Sequence, residues 1–195
     1  MTREGISTLY AGYQMRSRLE AHWACFFDAL GWKWEYEPLD GHGYIPDFVL
    51  LGQNPVYVEV KPETTLNGLR SHEKKVQEGL HGITKDDILI VGLTPVLAAE
   101  ASNFCAPSLG VLLEHGDYED GPCWYTGEAC WMTCRECGLI TFHHDSQSYH
   151  SRMCGHYDGD HHIGEASMDK VQSLWARTSN RVQWFSGERK NRWAH

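Results

Sequence analysis

The chain reads as an α/β protein: a mixed central sheet flanked by helices, followed by a small Cys/His-rich module. Three observations predict this. A stripe of apolar residues with helical period near the start is followed by three short β-type runs, a polar helix and one more β-branched run. That succession packs helices against a sheet. Beyond about residue 115 the texture shifts to Gly, Asp, His, Cys and Trp, which bury little apolar surface and need another source of order.

Residues 13–30 carry Leu19, Trp23, Phe26 and Leu30 at offsets 0, 4, 7 and 11, one face of a helix, and Gly31 is a plausible stop. Trp32 to Tyr36 alternates aromatic and charged residues and reads as a strand. Phe48–Leu51 and Val56–Val60 are apolar runs either side of Gly52-Gln53-Asn54-Pro55, a hairpin signal. A second helix is expected around residues 70–79. Ile88–Val91 is a compact β-branched run suited to a buried strand, and Leu109–Leu113 is a weaker strand candidate. The expected core order is therefore αβββαβ. The expected division is residues 1–115 as core, 116–165 as a metal-binding module and 166–195 as a basic, Trp-rich segment.

Composition narrows the function. Hydrophobic residues make up 42% and aromatics 12% of the 195, which excludes a disordered chain. No run of about 18 apolar residues occurs and the start has no apolar leader, so a cytoplasmic protein with no membrane contact is expected. The net charge of −9 argues mildly against a nucleic-acid partner, but its distribution is uneven. Residues 114–165 hold ten acidic and two basic residues, whereas residues 168–195 hold six basic and two acidic.

In the predicted hairpin, Asp47 falls opposite Glu59 or Val60, and Glu59 and Lys61 lie two apart on one strand, facing the same side. Two carboxylates and an ammonium so close are costly unless something uses them. A divalent cation accounts for all three, since Mg²⁺ takes one or two carboxylates along with water and phosphate. Lys61 would then position the attacking water or stabilise the transition state.

Pro46-Asp47 followed by Glu59-Val60-Lys61 resembles the signature of the PD-(D/E)XK nuclease superfamily, and the element order resembles its core across roughly residues 10–95. The resemblance implies a restriction-endonuclease-like fold and hydrolysis of phosphodiester bonds dependent on Mg²⁺ or Mn²⁺. It also implies that Glu20, on the first helix, joins Asp47, Glu59 and Lys61 in the catalytic and metal-binding set. Gln77 or Lys74 matches a further helix-borne residue of some relatives loosely. The partner so implied is nucleic acid, DNA above all, with a homodimer or a larger nuclease complex as assembly.

Five of the seven cysteines, Cys123, Cys130, Cys134, Cys137 and Cys154, fall within 32 residues, a clustering typical of metal ligands. Cys134-x₂-Cys137, then twelve residues to His150 and three more to Cys154, fits a closed structural Zn²⁺ site. This spacing resembles a C₂HC zinc finger. With Gly155 directly after Cys154, a ribbon-like pair of knuckles fits equally, and His143, His144, His156, His161, His162, Cys130 or Cys123 remain alternative ligands. The acidic surroundings favour a structural or protein-docking role for the module. At the C-terminal end, cations interleaved with Trp175, Trp184 and Trp193 suit either nucleic-acid contact or a helix docked through its tryptophans. Two alternatives to a self-sufficient nuclease stay open: a non-catalytic zinc-finger protein binding nucleic acid or protein, and a nuclease subunit active only in a larger complex.

Overall fold

The computed structural model describes residues 6–40, 43–98, 107–118, 121–145, 150–156 and 164–184. A short hairpin of β1 (Thr8–Tyr10) and β2 (Tyr13–Met15) opens the chain, and helix α1 (Arg18–Leu30) follows. The expected helix start at residue 13 is therefore too early. Ser17 sits in extended backbone and caps the helix, accepting from the Glu20 N–H at 3.1 Å. Gly31 ends it with φ of 76°, a left-handed conformation that costs glycine little.

Strands β3 (Trp34–Tyr36), β4 (Phe48–Leu51) and β5 (Pro55–Val60) form an antiparallel meander. Two short helices, α2 (Leu66–Arg70) and α3 (Glu73–Leu80), replace the single helix expected around residues 70–79. They lead to β6 (Asp87–Val91), which pairs parallel with β5. The chain then makes a long antiparallel hairpin of β7 (Ser108–Tyr118) and β8 (Gly121–Thr133). Strand β9 (Ile140–His144) and the two-residue β10 (Gly164–Glu165) both pair with the far end of β8, and helix α4 (Met168–Trp184) closes the described fold. Among the described residues the result is an α/β architecture on an eight-stranded mixed sheet.

The sheet separates two apolar layers, as strand alternation requires. Val56, Val58, Leu89, Val91 and Leu112 pack with Trp23, Phe26 and Phe27 of α1 on one face. Ile88, Ile90, Val111 and Leu113 pack with Leu66, Leu69, Val76 and Leu80 of α2 and α3 on the other.

The boundary expected at residues 115–116 falls inside β7. The later segment also supplies Trp131, Ile140, Phe142, Met153, Val171 and Val182 to the α1-side core. Those residues are too widely spaced to show a period, so their burial arises from tertiary contacts rather than from local pattern. No helix among the described residues is long and apolar enough to cross a membrane.

Candidate functional site

The β4–β5 register, Phe48 opposite Val58 and Leu51 opposite Pro55, carries Asp47 opposite Glu59 one step further. Both point to the α2/α3 side, because Phe48 and Val58 point to the other. Asp47 and Glu59 are each buried. The Val60 N–H donates to Asp47 Oδ2 at 2.7 Å, which fixes that carboxylate at the strand end. Lys61 Nζ pairs with Glu59 Oε1, and the Lys61 N–H donates to the Val91 carbonyl, tying the site to β6.

Glu20 reaches the same end of the sheet from the first turn of α1. Ser17-Arg18-Leu19-Glu20 has the spacing of a capping box: Ser17 Oγ accepts from the Glu20 N–H at 3.1 Å and donates to Glu20 Oε1 at 2.7 Å, while Glu20 Oε2 accepts from the Arg16 N–H, one residue before the cap, at 3.1 Å. The Tyr36 hydroxyl donates to Glu20 Oε2 at 2.8 Å. Glu20 therefore has a structural task whatever else it does. The S-x-x-E spacing announces that task in the sequence, where only the family resemblance had drawn attention to the residue.

Arg16 is the cation the sequence pattern had not assigned to the site. Its guanidinium donates to Asp47 Oδ1 at 2.6 Å, pairs with Glu37 at 3.0 Å and lies 4.0 Å from Glu20. Although its partial burial opposes the charge, Asp47 and Glu20 raise its pKa above the usual range. Even with Arg16 in place, burial first, then Glu59 and Glu20, push the Asp47 carboxyl up to about 7. Glu59 Oε2 is buried without a hydrogen-bond partner. Tyr44 packs over α3, its ring filling the space above Gly79. Its buried phenol has its pKa raised by burial and by Glu59, although Tyr44 Oη makes no well-formed hydrogen bond.

Glu20, Asp47, Glu59 and Lys61 thus gather around the ends of β4 and β5. Their carboxylates are not mutually within the 4.8 Å that joins the one tight donor group among the described residues. Arg16, bonded to both Asp47 and Glu20, stands among them. Lys74 lies on the solvent side of α3, exposed and 3.8 Å from Glu78, and does not join the set.

That tight donor group is Cys134, Cys137, Cys154 and His156, whose ligand atoms all lie within 4.8 Å of one another. It could hold a metal such as zinc, because three thiolates and an imidazole suit a soft-to-borderline ion with four closed positions. Three of the four expected ligands are here, but the fourth is His156, not His150. The reason is the turn at Gly155, whose φ of 72° swings the next residue back toward Cys154. His156 Nδ1 comes within 3.3 Å of Cys134 Sγ, whereas His150 is exposed and lines a pocket with Asp87, Glu114 and Arg152. His143 and His144 are buried on β9, outside the group, and so is Cys130 on β8. His161, His162 and the side chain of Cys123 lie outside the described residues.

The turn that carries Cys154 and His156 is joined to the sheet. Arg152 pairs with Asp87 at 2.7 Å and Glu114 at 2.9 Å, and its carbonyl accepts from the Gln53 N–H at 3.3 Å. A side chain at Gly52 would collide with that carbonyl, at 2.2 Å, so only glycine permits the approach.

Trp175 of α4 stacks on His22 with ring centroids 3.5 Å apart and touches Trp23 and Phe26, so it docks the helix on α1. Lys170, Arg177 and Arg181 remain exposed on α4. The side chain of Trp184 and residues 185–195, with Arg189, Lys190, Arg192 and Trp193, lie outside the described residues. No family model, no curated protein and no solved structure matches this chain.

Proposed function

We propose that the chain is a metal-dependent nuclease, acting on DNA, with a restriction-endonuclease-like core over roughly residues 10–95. The observation that carries this reading is the meeting of buried Asp47 and Glu59 with Lys61 at adjoining strand ends. The element order from α1 through β6 supports it, being the order expected of the PD-(D/E)XK superfamily.

The residues fit a hard divalent cation. Glu59 Oε2 is a buried carboxylate oxygen with no hydrogen bond, and Asp47 is destabilised in its ionised form by its acidic neighbours. Both conditions are relieved by positive charge. Asp47 and Glu59 would hold Mg²⁺ or Mn²⁺, with Glu20 in support, and the ion would supply Lewis acidity toward water and phosphate.

The chain's own groups set the rest of the mechanism. The Val60 N–H orients Asp47, leaving Oδ1 to Arg16. Lys61, partly exposed beside Glu59, presents an ammonium able to align a nucleophile or stabilise negative charge on a pentacovalent phosphorane. Arg16 is about half exposed and already faces the carboxylates, so an arriving phosphodiester can recruit its guanidinium.

A panel of linear, nicked, branched and single-stranded DNA, and RNA, with Mg²⁺ or Mn²⁺ tests the reading. Cleavage of at least one form is expected, lost by roughly 10²–10³-fold or more in Asp47→Ala and in Lys61→Ala. Equal activity in both variants would sink the site assignment.

A second reading follows from the same ion pairs. Arg16 and Lys61 already compensate Asp47 and Glu59, as they would in a non-catalytic protein that binds nucleic acid or protein. It predicts binding that needs no divalent ion and survives both substitutions. A subunit dependent on partners would instead be inactive alone and active in its complex.

A further inference from the structure

We propose that residues 134–139 and 151–156 are two copies of one zinc knuckle closing on a single Zn²⁺. The second copy has moved its missing ligand from position 151 to position 156. The proposal does not depend on the nuclease reading.

The copies match at the backbone with a constant offset of 17 residues. The Gly138 N–H donates to the Cys134 carbonyl at 2.8 Å, as the Gly155 N–H does to the Ser151 carbonyl at 3.0 Å. The Cys134 N–H donates to the Leu139 carbonyl at 2.8 Å, as the Ser151 N–H does to the His156 carbonyl at 3.2 Å. Gly138 and Gly155 each have φ of 72°. Cys137 and Cys154 therefore occupy equivalent places, and Ser151 stands where the first copy has Cys134.

A hydroxyl is a poor zinc ligand beside thiolates, so the second copy needs another donor. His156, in the place of Leu139, is that donor, with Nδ1 3.3 Å from Cys134 Sγ. Its Nε2 faces Glu136 at 3.9 Å, beyond hydrogen-bond distance, so the imidazole is turned with Nδ1 toward the sulfurs and Nε2 outward. Ser151 has taken a supporting part. Its Oγ accepts from the Cys154 N–H at 3.1 Å, lies 2.9 Å from Cys154 Sγ and contacts Thr141 Oγ1 at 3.0 Å. Its one proton goes to Thr141 Oγ1, so it would donate to a Cys154 thiolate only if that bond reversed, Thr141 donating to Ser151.

The test is metal analysis and Zn²⁺ affinity, by competition with a chromophoric chelator, on the full chain and its variants. Co²⁺ spectra count the thiolates without any substitution. The proposal expects one Zn²⁺ per chain and a Co²⁺ spectrum of three thiolates. It expects His150→Ala to bind like the parent, Ser151→Ala to bind roughly 10-fold more weakly, and His156→Ala more weakly still. The double variant Ser151→Cys/His156→Ala should regain affinity and show a four-thiolate Co²⁺ spectrum. Iron in place of zinc would overturn the metal assignment, and His150→Ala weaker than His156→Ala would overturn the ligand set. A folded double variant with no recovery would overturn the equivalence of the two copies.

Discussion

The two ends of the β4–β5 hairpin handle polar groups in opposite ways. At the strand end, Asp47 and Glu59 are buried beside cations from the chain itself, Arg16 and Lys61, and only one carboxylate oxygen is left over. At the turn end, Gly52 and Gln53 lie against the second knuckle, where three sulfurs and an imidazole converge on one point. The first cluster is only partly compensated, since burial and its acidic neighbours push the Asp47 carboxyl up to about 7 even beside Arg16. The second has four ligand atoms within 4.8 Å of one another, an arrangement suited to a permanently held ion.

The comparison predicts unequal responses to metal removal. Stripping zinc with a chelator should lower the melting temperature by roughly 10 °C or more, because zinc binding is coupled to folding of the turns. Adding Mg²⁺ should raise it far less. Equal shifts in calorimetry would erase the distinction between the two ends.

Arg152 joins the knuckle to the sheet, so Arg152→Ala should cost about 3 kcal/mol in urea unfolding, leaving Asp87 and Glu114 without their shared cation. A change within a few tenths of a kcal/mol would mean that the knuckle and sheet are energetically separate.

Asp47 gives a pH dependence of definite sign. Its carboxyl rises from 3.8 to about 7 on folding, so between these values the folded chain holds a proton that the unfolded chain has released. Its contribution to stability therefore falls as pH climbs through that window, by up to roughly 4 kcal/mol in the metal-free state. Asp47→Asn should flatten this slope and unfold later than the parent at neutral pH. A parent and variant with parallel pH profiles would show that the acidic cluster is not strained.

The smallest effect expected is at the capping box. Glu20→Gln should cost only about 1 kcal/mol, as a neutral amide keeps part of the cap. Its thermal unfolding, set beside its cleavage rate, separates the structural task of Glu20 from any part in metal binding.

Much of this was legible in the sequence where local pattern governs. The Gly52–Asn54 turn and the apolar runs on either side set the hairpin, and the period of two set the common face of Glu59 and Lys61. The length of β7 and β8 was not legible, since the hairpin continues through polar residues such as Glu114, His115, Tyr125 and Thr126 that carry no apolar period. Arg16 was not placed among the carboxylates because its contacts with them depend on the start of α1 and the start of β4 meeting in space. His156 stood only among several alternative ligands because its approach depends on the left-handed turn at Gly155, for which a glycine after a cysteine was the only written sign.

The most direct test of the two-ended account is Mn²⁺ binding to the zinc-loaded protein, followed by electron paramagnetic resonance. The account predicts a Mn²⁺ site that is lost in Asp47→Asn/Glu59→Gln and kept in His156→Ala. Mn²⁺ binding unchanged by the carboxylate substitutions would contradict it, because the hard-cation site would then lie somewhere other than the ends of β4 and β5.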